Sequence, residues 1–417
     1  MTSTEPLQPA TTSSTKRKSK SIVDRNSLTS REKRAKEDGG KSKEQRKARS
    51  VPSQLKNKKK KSKERKSQRE KHSKTTTSSL TQTANETTHS VAADDDHDDP
   101  KRHRLDKKAA NIYKEFVDAA VKKGIAGMQQ EFFSVRSYSP ATYHTEAFDS
   151  NPTRNRYKDV FCMDETRVKL SVDGPDDADY IHANYVKGEG RVNFICSQGP
   201  LDTTLTDFWK MVWQERCPLI VMLCEVTENN KVKCSEYWPR NAGETFSISR
   251  FRIVNTGTKE VALGPDQQER LTMSALTLTD TNVHEHRQLT HYQWPTWPDR
   301  GAPTSGKAVL YLAHRISEYA DSTVVVHCSA GIGRTGTLVS LYMCMERLIT
   351  HQPVDILQIA KRLRDHRLHS IQTEPQYVFI YRALIESWPD FMDTALPNKP
   401  EFLKFITDYR KYCTPPN

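Results

Sequence analysis

From Asp106 onward, apolar residues recur in patterns that predict alternating helices and strands. Ile112, Tyr113, Phe116, Val117, Ala120 and Val121 fall at helical spacing, Gly124 follows as a stop, and Met128, Phe132 and Phe133 predict a second short helix. Leu205, Phe208, Trp209, Val212 and Trp213 predict a helix opening at Thr204. Residues 219–224 are apolar throughout, as in a strand of a sheet covered on both faces. Partial alternation predicts strands over 246–254, 271–278 and 287–294. Helices are expected over 304–319, 354–366 and 377–388, with Pro389 and Pro397 ending the domain and a short helix over 402–412 beyond them. Between the first two of these, Val324-Val325-Val326 predicts a short buried strand, then a turn bearing Gly331, Gly333 and Gly336, then a helix over 338–348.

Upstream of residue 106 this patterning is missing. The first aromatic residue is Tyr113, and a hundred residues without one cannot build a core, so residues 1–105 are expected to be a disordered tail. Three parts follow: the tail over 1–105, a domain over 106–392 and a C-terminal extension over 393–417. Charge separates the same parts. Residues 1–75 hold 25 Lys+Arg against 8 Asp+Glu, a net +17 within a total of +13, so the remainder carries −4. Three readings of the tail stay open: a solvated arm without a partner, a nuclear-import address in its lysine clusters, or attachment to nucleic acid or another anionic surface. No aromatic interleaves the lysines, so such attachment would be unspecific and salt-sensitive. The acidic run over 94–99 is placed to fold back on those clusters and weaken all three.

The eight cysteines have no paired or metal-like spacing and read as reduced thiols of an intracellular protein. The start lacks the apolar stretch of a signal peptide, and the run over 219–224 is too short to span a bilayer. An intracellular monomer is expected, with cytoplasm and nucleus both open.

The strand–turn–helix around Cys328 carries the candidate chemistry. The stretch over 326–337 reads V-H-C-S-A-G-I-G-R-T-G-T. Such a turn aims successive backbone N–H groups into one concavity, and the helix N-terminus adds its positive end, which suits a tetrahedral dianion. In that field a thiol is expected to ionise below its free pKa of roughly 8.5. The planar fork of Arg334 is able to grip two oxygens. A thiolate beneath a cradled phosphoryl group is a nucleophile for phosphate monoester cleavage; the bland alternative is a buried structural cysteine.

The stretch resembles the signature loop of protein tyrosine phosphatases, H-C-S-A-G-x-G-R-[ST]-G, and further motifs in the same order extend the resemblance over roughly 106–388. Arg154-Asn155-Arg156-Tyr157-Lys158-Asp159-Val160 resembles the substrate-recognition loop, and residues 168–170, 179–186 and 194–200 match early strands, with His182 where the family usually has asparagine. Glu228 with Lys233-Cys234-Ser235-Glu236-Tyr237-Trp238-Pro239, Trp297-Pro298-Asp299, and Ser370 to Phe379 resemble three more. The fold this implies is α/β: a single highly twisted mixed sheet flanked by helices. The activity it implies is hydrolysis of phosphotyrosine in proteins through a cysteinyl-phosphate. Cys328 would be the nucleophile, Asp299 the general acid and then base, and Arg334 with the amides of Ser329, Ala330, Gly331, Ile332 and Gly333 the phosphoryl holder. Gln372 would place the hydrolytic water with Gln376 assisting, Tyr157 would pack on the substrate ring, and Asp159 would accept peptide N–H groups. Supporting roles fall to Lys233, Glu228 and Trp297 around the acid loop, to Tyr237 as partner of His327, and to Thr335 as a hydrogen-bond donor to the sulfur. No metal or cofactor is called for. A phosphotyrosine-binding pseudoenzyme and a dual-specificity or phospholipid phosphatase are the competing readings; the complete residue set and the depth that Tyr157 gives the pocket weigh against them.

Overall fold

The computed structural model describes residues 104–174, 177–263 and 269–413. All of the expected tail but Arg104 and Leu105 lies outside them. The domain opens where the pattern changes: the Asp106 carboxylate accepts from the backbone N–H groups of Lys108 and Ala109 and caps α1 (Lys107–Arg136). At Gly124 (φ 64°, ψ 175°) the chain leaves helical geometry, so α1 holds both predicted helices in tandem. Its apolar stripe is buried from Tyr113 to Phe132, whereas Phe133, expected in the same stripe, is 55% exposed.

A one-turn helix α2 (Glu146–Ser150) precedes β1 (Arg167–Lys169), β2 (Tyr180–Val186) and β3 (Asn193–Ser197). Helix α3 (Leu205–Gln214) leads to β4 (Leu219–Met222), and β5 (Thr227–Glu228) with β6 (Lys231–Val232) makes a small separate hairpin. Then come β7 (Thr245–Ile248), β8 (Phe251–Leu263), β9 (Glu269–Asp280), β10 (Glu285–Gln293), α4 (Lys307–Ser317) and β11 (Thr323–His327). The chain finishes in helices α5 (Gly333–Ile349), α6 (Ile356–His366), α7 (Glu374–Glu386), α8 (Trp388–Met392) and α9 (Pro400–Cys413).

Nine strands form one mixed sheet in the order β1-β2-β3-β11-β4-β10-β9-β8-β7. Its centre, β3-β11-β4-β10, is parallel, and β4 and the valines of β11 are buried on both faces. The path from β3 to β4 steps past β11 in one direction; the path from β10 to β11 steps past β4 in the other. Right-handed crossovers therefore put α3 and α4 on opposite faces. A crevice opens off the carboxyl ends of such strands, and the loop leaving β11 lies there.

Two expectations are corrected. The strand predicted over 246–254 is a hairpin of β7 and β8, turned at Ser249 with φ 50°; no glycine marks the left-handed residue, so alternation ran straight through it. Pro389 does not end the domain. It sits in the first turn of α8, where a missing N–H costs nothing, and the chain goes on to α9, whose Phe402, Phe405 and Tyr409 join the same core. Among the described residues no helix is long and apolar enough to cross a membrane.

Candidate active site

Residues 328–332 join β11 to α5, whose first turn carries Arg334. Gly331 makes the turn possible: its φ is +69°, and a Cβ there would lie 2.0 Å from the Ser197 carbonyl oxygen. Its N–H donates to Cys328 Sγ at 3.2 Å. Gly333, the first residue of α5, lets two glutamines approach; a Cβ would stand 2.9 Å from the side-chain amide of Gln376.

The loop is held from behind by a guanidinium that the motif reading did not single out. Arg367 is fully buried and gives Nε to the Gly331 carbonyl (3.1 Å) and Nη2 to the Ala330 carbonyl (3.0 Å). Pulling those carbonyls outward leaves the N–H groups to face the concavity. Two further donors of Arg367 reach Asn184 Oδ1 (from Nη1, 2.6 Å) and His182 Nδ1 (from Nη2, 3.1 Å). His182 is the departure from the family's asparagine. Burial, with the Arg367 charge beside it, pushes its pKa down to about 3, so it is neutral, donates Nε2–H to the Val160 carbonyl (2.8 Å) and accepts at Nδ1. An imidazole thus bridges the two groups, each through one ring nitrogen.

A second buried chain ends on Cys328 itself. His291 Nε2, Tyr237 Oη and His327 Nε2 are linked at 2.7 Å each, and His327 Nδ1 lies 3.2 Å from the Cys328 carbonyl oxygen. Burial lowers the His327 pKa to about 4, so the ring is neutral and carries its proton on Nδ1, facing the carbonyl. Tyr237 must then donate to His327, and His291 to Tyr237. The expected Tyr237–His327 pair is present; His291 was missed, with only its place in a strand visible in the sequence. The buried Thr335 hydroxyl, expected to donate to the sulfur, has no hydrogen-bond partner among the described residues; the sulfur accepts from Gly331 N–H.

Arg334 is 2% exposed and its guanidinium is bidentate on Glu228 (2.5 and 2.9 Å). Nη1 also donates to the Trp297 carbonyl, and Nη2 to Asp299 Oδ1, both at 3.1 Å. That uses all four terminal hydrogens, while Nε has no partner among the described residues. Asp299 Oδ2 accepts from Lys233 Nζ at 2.6 Å. Burial pushes the Asp299 carboxyl up, but the Lys233 hydrogen bond and the charges of Arg334, Lys233 and Arg300 outweigh it and hold it below the ordinary 3.8. Trp297 is buried against Trp294 and Phe379, its indole N–H on the Gly301 carbonyl at 3.1 Å.

The recognition loop reaches the site through Tyr157. Ser329 Oγ donates to the Lys233 carbonyl (2.8 Å), so the Tyr157 hydroxyl is the donor in its 2.7 Å bond to Ser329 Oγ. Arg156 pins that loop to the turn after β3 through the carbonyls of Gly199 and Pro200. On the far side, Gln376 Oε1 accepts from the backbone N–H groups of Gln372 (3.1 Å) and Thr373 (3.3 Å), capping α7, while its NH2 has no partner among the described residues.

One pocket gathers Tyr157, Asp159, Glu228, Lys233, Asp299, Cys328, Ser329, Ala330, Gly333, Arg334, Gln372 and Gln376. The other expected residues (Gly331, Ile332, His327, Thr335, Tyr237 and Trp297) stand behind its lining. All eight cysteines are free. Burial raises the other seven thiols, to about 12 at Cys196 and Cys234, so these stay protonated packing groups.

Similarity to known proteins points the same way. Human tyrosine-protein phosphatase non-receptor type 9 is 34% identical over 291 residues, covering 65% of this chain and 47% of that protein. The Lar-like tyrosine-protein phosphatase of Caenorhabditis elegans is 37% identical over 267 residues, 63% of this chain and 12% of its own length. This chain therefore spans about half the length, or less, of the curated relatives it matches. A solved structure described as the structural basis of the PTPN18 fingerprint on distinct HER2 tyrosine phosphorylation sites superposes with a TM-score of 0.58 at 30% identity, covering 66% of this chain and 98% of that one. The sequence pattern of the protein-tyrosine phosphatases matches residues 151–386, from the recognition loop to the end of α7, and with that span the chain belongs to the protein-tyrosine phosphatase family.

Proposed function

We propose that this chain hydrolyses phosphotyrosine in proteins by two displacements at Cys328. The observation that carries the reading is a thiol at the mouth of an amide-lined turn, opening into the same pocket as the Arg334–Asp299 pair. In the first step the deprotonated sulfur attacks phosphorus, the P–O bond to the tyrosyl oxygen breaks, and Asp299 gives that oxygen a proton. The loop amides and Arg334 hold the three equatorial oxygens. The donors left to Arg334 are Nε and the Nη2 hydrogen that now meets Asp299. An arriving phosphoryl dianion thus takes a cation away from Asp299 and sets an anion beside it. Both changes raise the carboxyl pKa toward the protonated form that an acid needs.

In the second step water held by Gln372 and the Gln376 amide attacks the cysteinyl-phosphate, Asp299 takes its proton, and the sulfur leaves. Thr335's unpartnered hydroxyl is left over for the departing sulfur. Lys233 steadies Asp299, and Glu228 fixes the plane of Arg334. The Tyr157 ring walls the substrate ring and sets a depth that phosphoserine does not reach, and Asp159 at the mouth accepts peptide N–H groups. The free cysteines support an intracellular setting, and the +17 of the first 75 residues supports an unspecific anionic partner for that segment.

The test is turnover of phosphotyrosyl, phosphoseryl and inositide substrates by the purified chain. Only the first class is expected to be hydrolysed, and Cys328→Ser should lose turnover while still binding the phosphopeptide. Equal cleavage of all three classes would favour a wider-pocket phosphatase, and a fully active Cys328→Ser would remove the nucleophile.

A further inference from the structure

Arg300 follows the acid Asp299, and its charge is one of those that hold the Asp299 carboxyl down. It is exposed, yet it lines the same pocket as Tyr157 and Cys328. Its backbone is fixed at both levels: φ is 57°, in the left-handed region, and its carbonyl accepts from Thr373 Oγ1 at 3.0 Å. Thr373 adjoins Gln372, so the cation is placed on the rim by a latch between the acid loop and the glutamine segment.

The charges of the pocket divide into two groups. Inside, Arg334 and Lys233 are matched by Glu228 and Asp299 through the hydrogen bonds already described. At the exposed rim stand Arg300 and Lys231, the latter on β6, with Asp159 as the single exposed carboxylate apart from the already engaged Asp299. Neither rim cation makes an ion pair among the described residues. The mouth is therefore left with uncompensated positive charge next to where a substrate peptide must lie.

We propose that Arg300 is a specificity-determining residue that reads an acidic side chain flanking the phosphotyrosine. This rests on the phosphatase reading and deepens it, naming acidic phosphopeptides as the preferred substrates. Because the cation rides on the loop that carries Asp299, the contact forms together with the placement of the acid. It therefore raises kcat/KM and does more than hold the ground-state complex. The pair is solvent-exposed, so the preference is modest, about two- to five-fold, and fades as salt screens it.

The experiment compares kcat/KM of the full chain on three phosphotyrosyl peptides that differ only in their flanking residues: glutamate, alanine or lysine. Wild type, Arg300→Lys, Arg300→Gln and Arg300→Glu are each measured at low and high salt. Ratios between peptides cancel any common effect of a substitution on folding or on Asp299. The expected order in wild type is glutamate over alanine over lysine, kept in Arg300→Lys, flattened in Arg300→Gln, reversed in Arg300→Glu and compressed by salt. Equal cleavage of the three peptides by wild type overturns the inference and leaves the phosphatase reading standing, as does an unchanged order in Arg300→Glu. Cleavage of none of them overturns that reading and the inference with it.

Discussion

A buried guanidinium has to satisfy up to five donors in a fixed plane, and in this domain that demand is used twice to build the site. Arg334 meets it at its four terminal hydrogens with Glu228, Trp297 and Asp299, facing the pocket, and keeps Nε unpaired among the described residues. Arg367 meets it with two signature-loop carbonyls, Asn184 and His182, behind the pocket. Arg367→Lys keeps the charge but offers one point where four acceptors wait. The carbonyls of Ala330 and Gly331 then lose their fixed direction, and kcat/KM should fall on the order of 10- to 10²-fold in a protein that still folds, checked by steady-state kinetics beside circular dichroism. An unchanged kcat/KM would mean that the loop holds its own shape. The two arginines also differ in how far sequence exposes them. Arg334 is legible because its chemistry needs a fixed spacing from Cys328 along one turn. Arg367 and His291 act across the chain, through bonds to residues dozens of positions away or more, and no local pattern records that. His182 lay between the two cases: the departure was visible, while its outcome depended on a neutral ring finding a donor and an acceptor at once.

At the level of elements, the start of α4 is the unusual junction. This helix begins just after the acid loop; its N-cap, Gly306, has no side chain to cap with, and the Ser305 hydroxyl takes only the Lys307 N–H, at 3.2 Å. Its free N–H groups go to two carboxylates from elsewhere: Gly306 to Glu386 at 2.7 Å and Ala308 to Glu269 at 2.9 Å. Arg382 pairs with Glu386. Burial pushes the Glu269 carboxyl up to about 7, with the Glu386 charge adding to the rise and the Ala308 N–H and Lys307 opposing it. The folded pKa lies above the ordinary 4.5, so the folded state keeps a proton that the unfolded chain releases. This group's contribution is then most favourable below pH 4.5, declines as pH rises to about 7, and is level above that. Glu269→Gln retains an oxygen for Ala308 N–H and has no charge to bury. Its Tm should exceed that of wild type at pH 8 and converge with it by pH 5; a gap independent of pH would refute the assignment. No sequence pattern marks this cap, because Glu269 and Glu386 lie 39 and 78 residues from Ala308. The neighbouring misreading has a similar cause. Helices with an apolar stripe and a stop, such as α1 with Gly124, announce themselves, whereas the turn between β7 and β8 rests on a serine at positive φ.

Over the whole domain, the order β3-β11-β4-β10 is the feature that makes the site. It brings the end of β11 beside the recognition loop, pinned to the turn after β3, and beside the segment after β4 that carries Glu228 and Lys233. The apolar runs predicted alternating helices and strands, and the resemblance implied α/β with a single mixed sheet, but strand order is set by long-range pairing and was legible in neither. The same limit hid the C-terminal residues, which read as an extension and are core. Helix α9 lies outside the 151–386 span matched by the family pattern and packs on α1, which lies outside it too. Phe402, Phe405 and Tyr409 are 2–3% exposed, Tyr412 donates to Glu374 Oε1 at 3.0 Å, and Gln129 of α1 donates to the same oxygen at 2.6 Å. Each end of the domain thus covers apolar surface that the other would leave wet. Phe405→Ala removes a buried ring without touching those hydrogen bonds, and such truncations cost about 3 kcal/mol or more when the site cannot collapse. Urea unfolding should show a lower midpoint with the slope unchanged, since the surface exposed on unfolding hardly differs. A midpoint equal to that of wild type would mean that α9 rests on the domain without contributing to its stability, and the boundary near residue 392 would then stand as the true end of the cooperative unit.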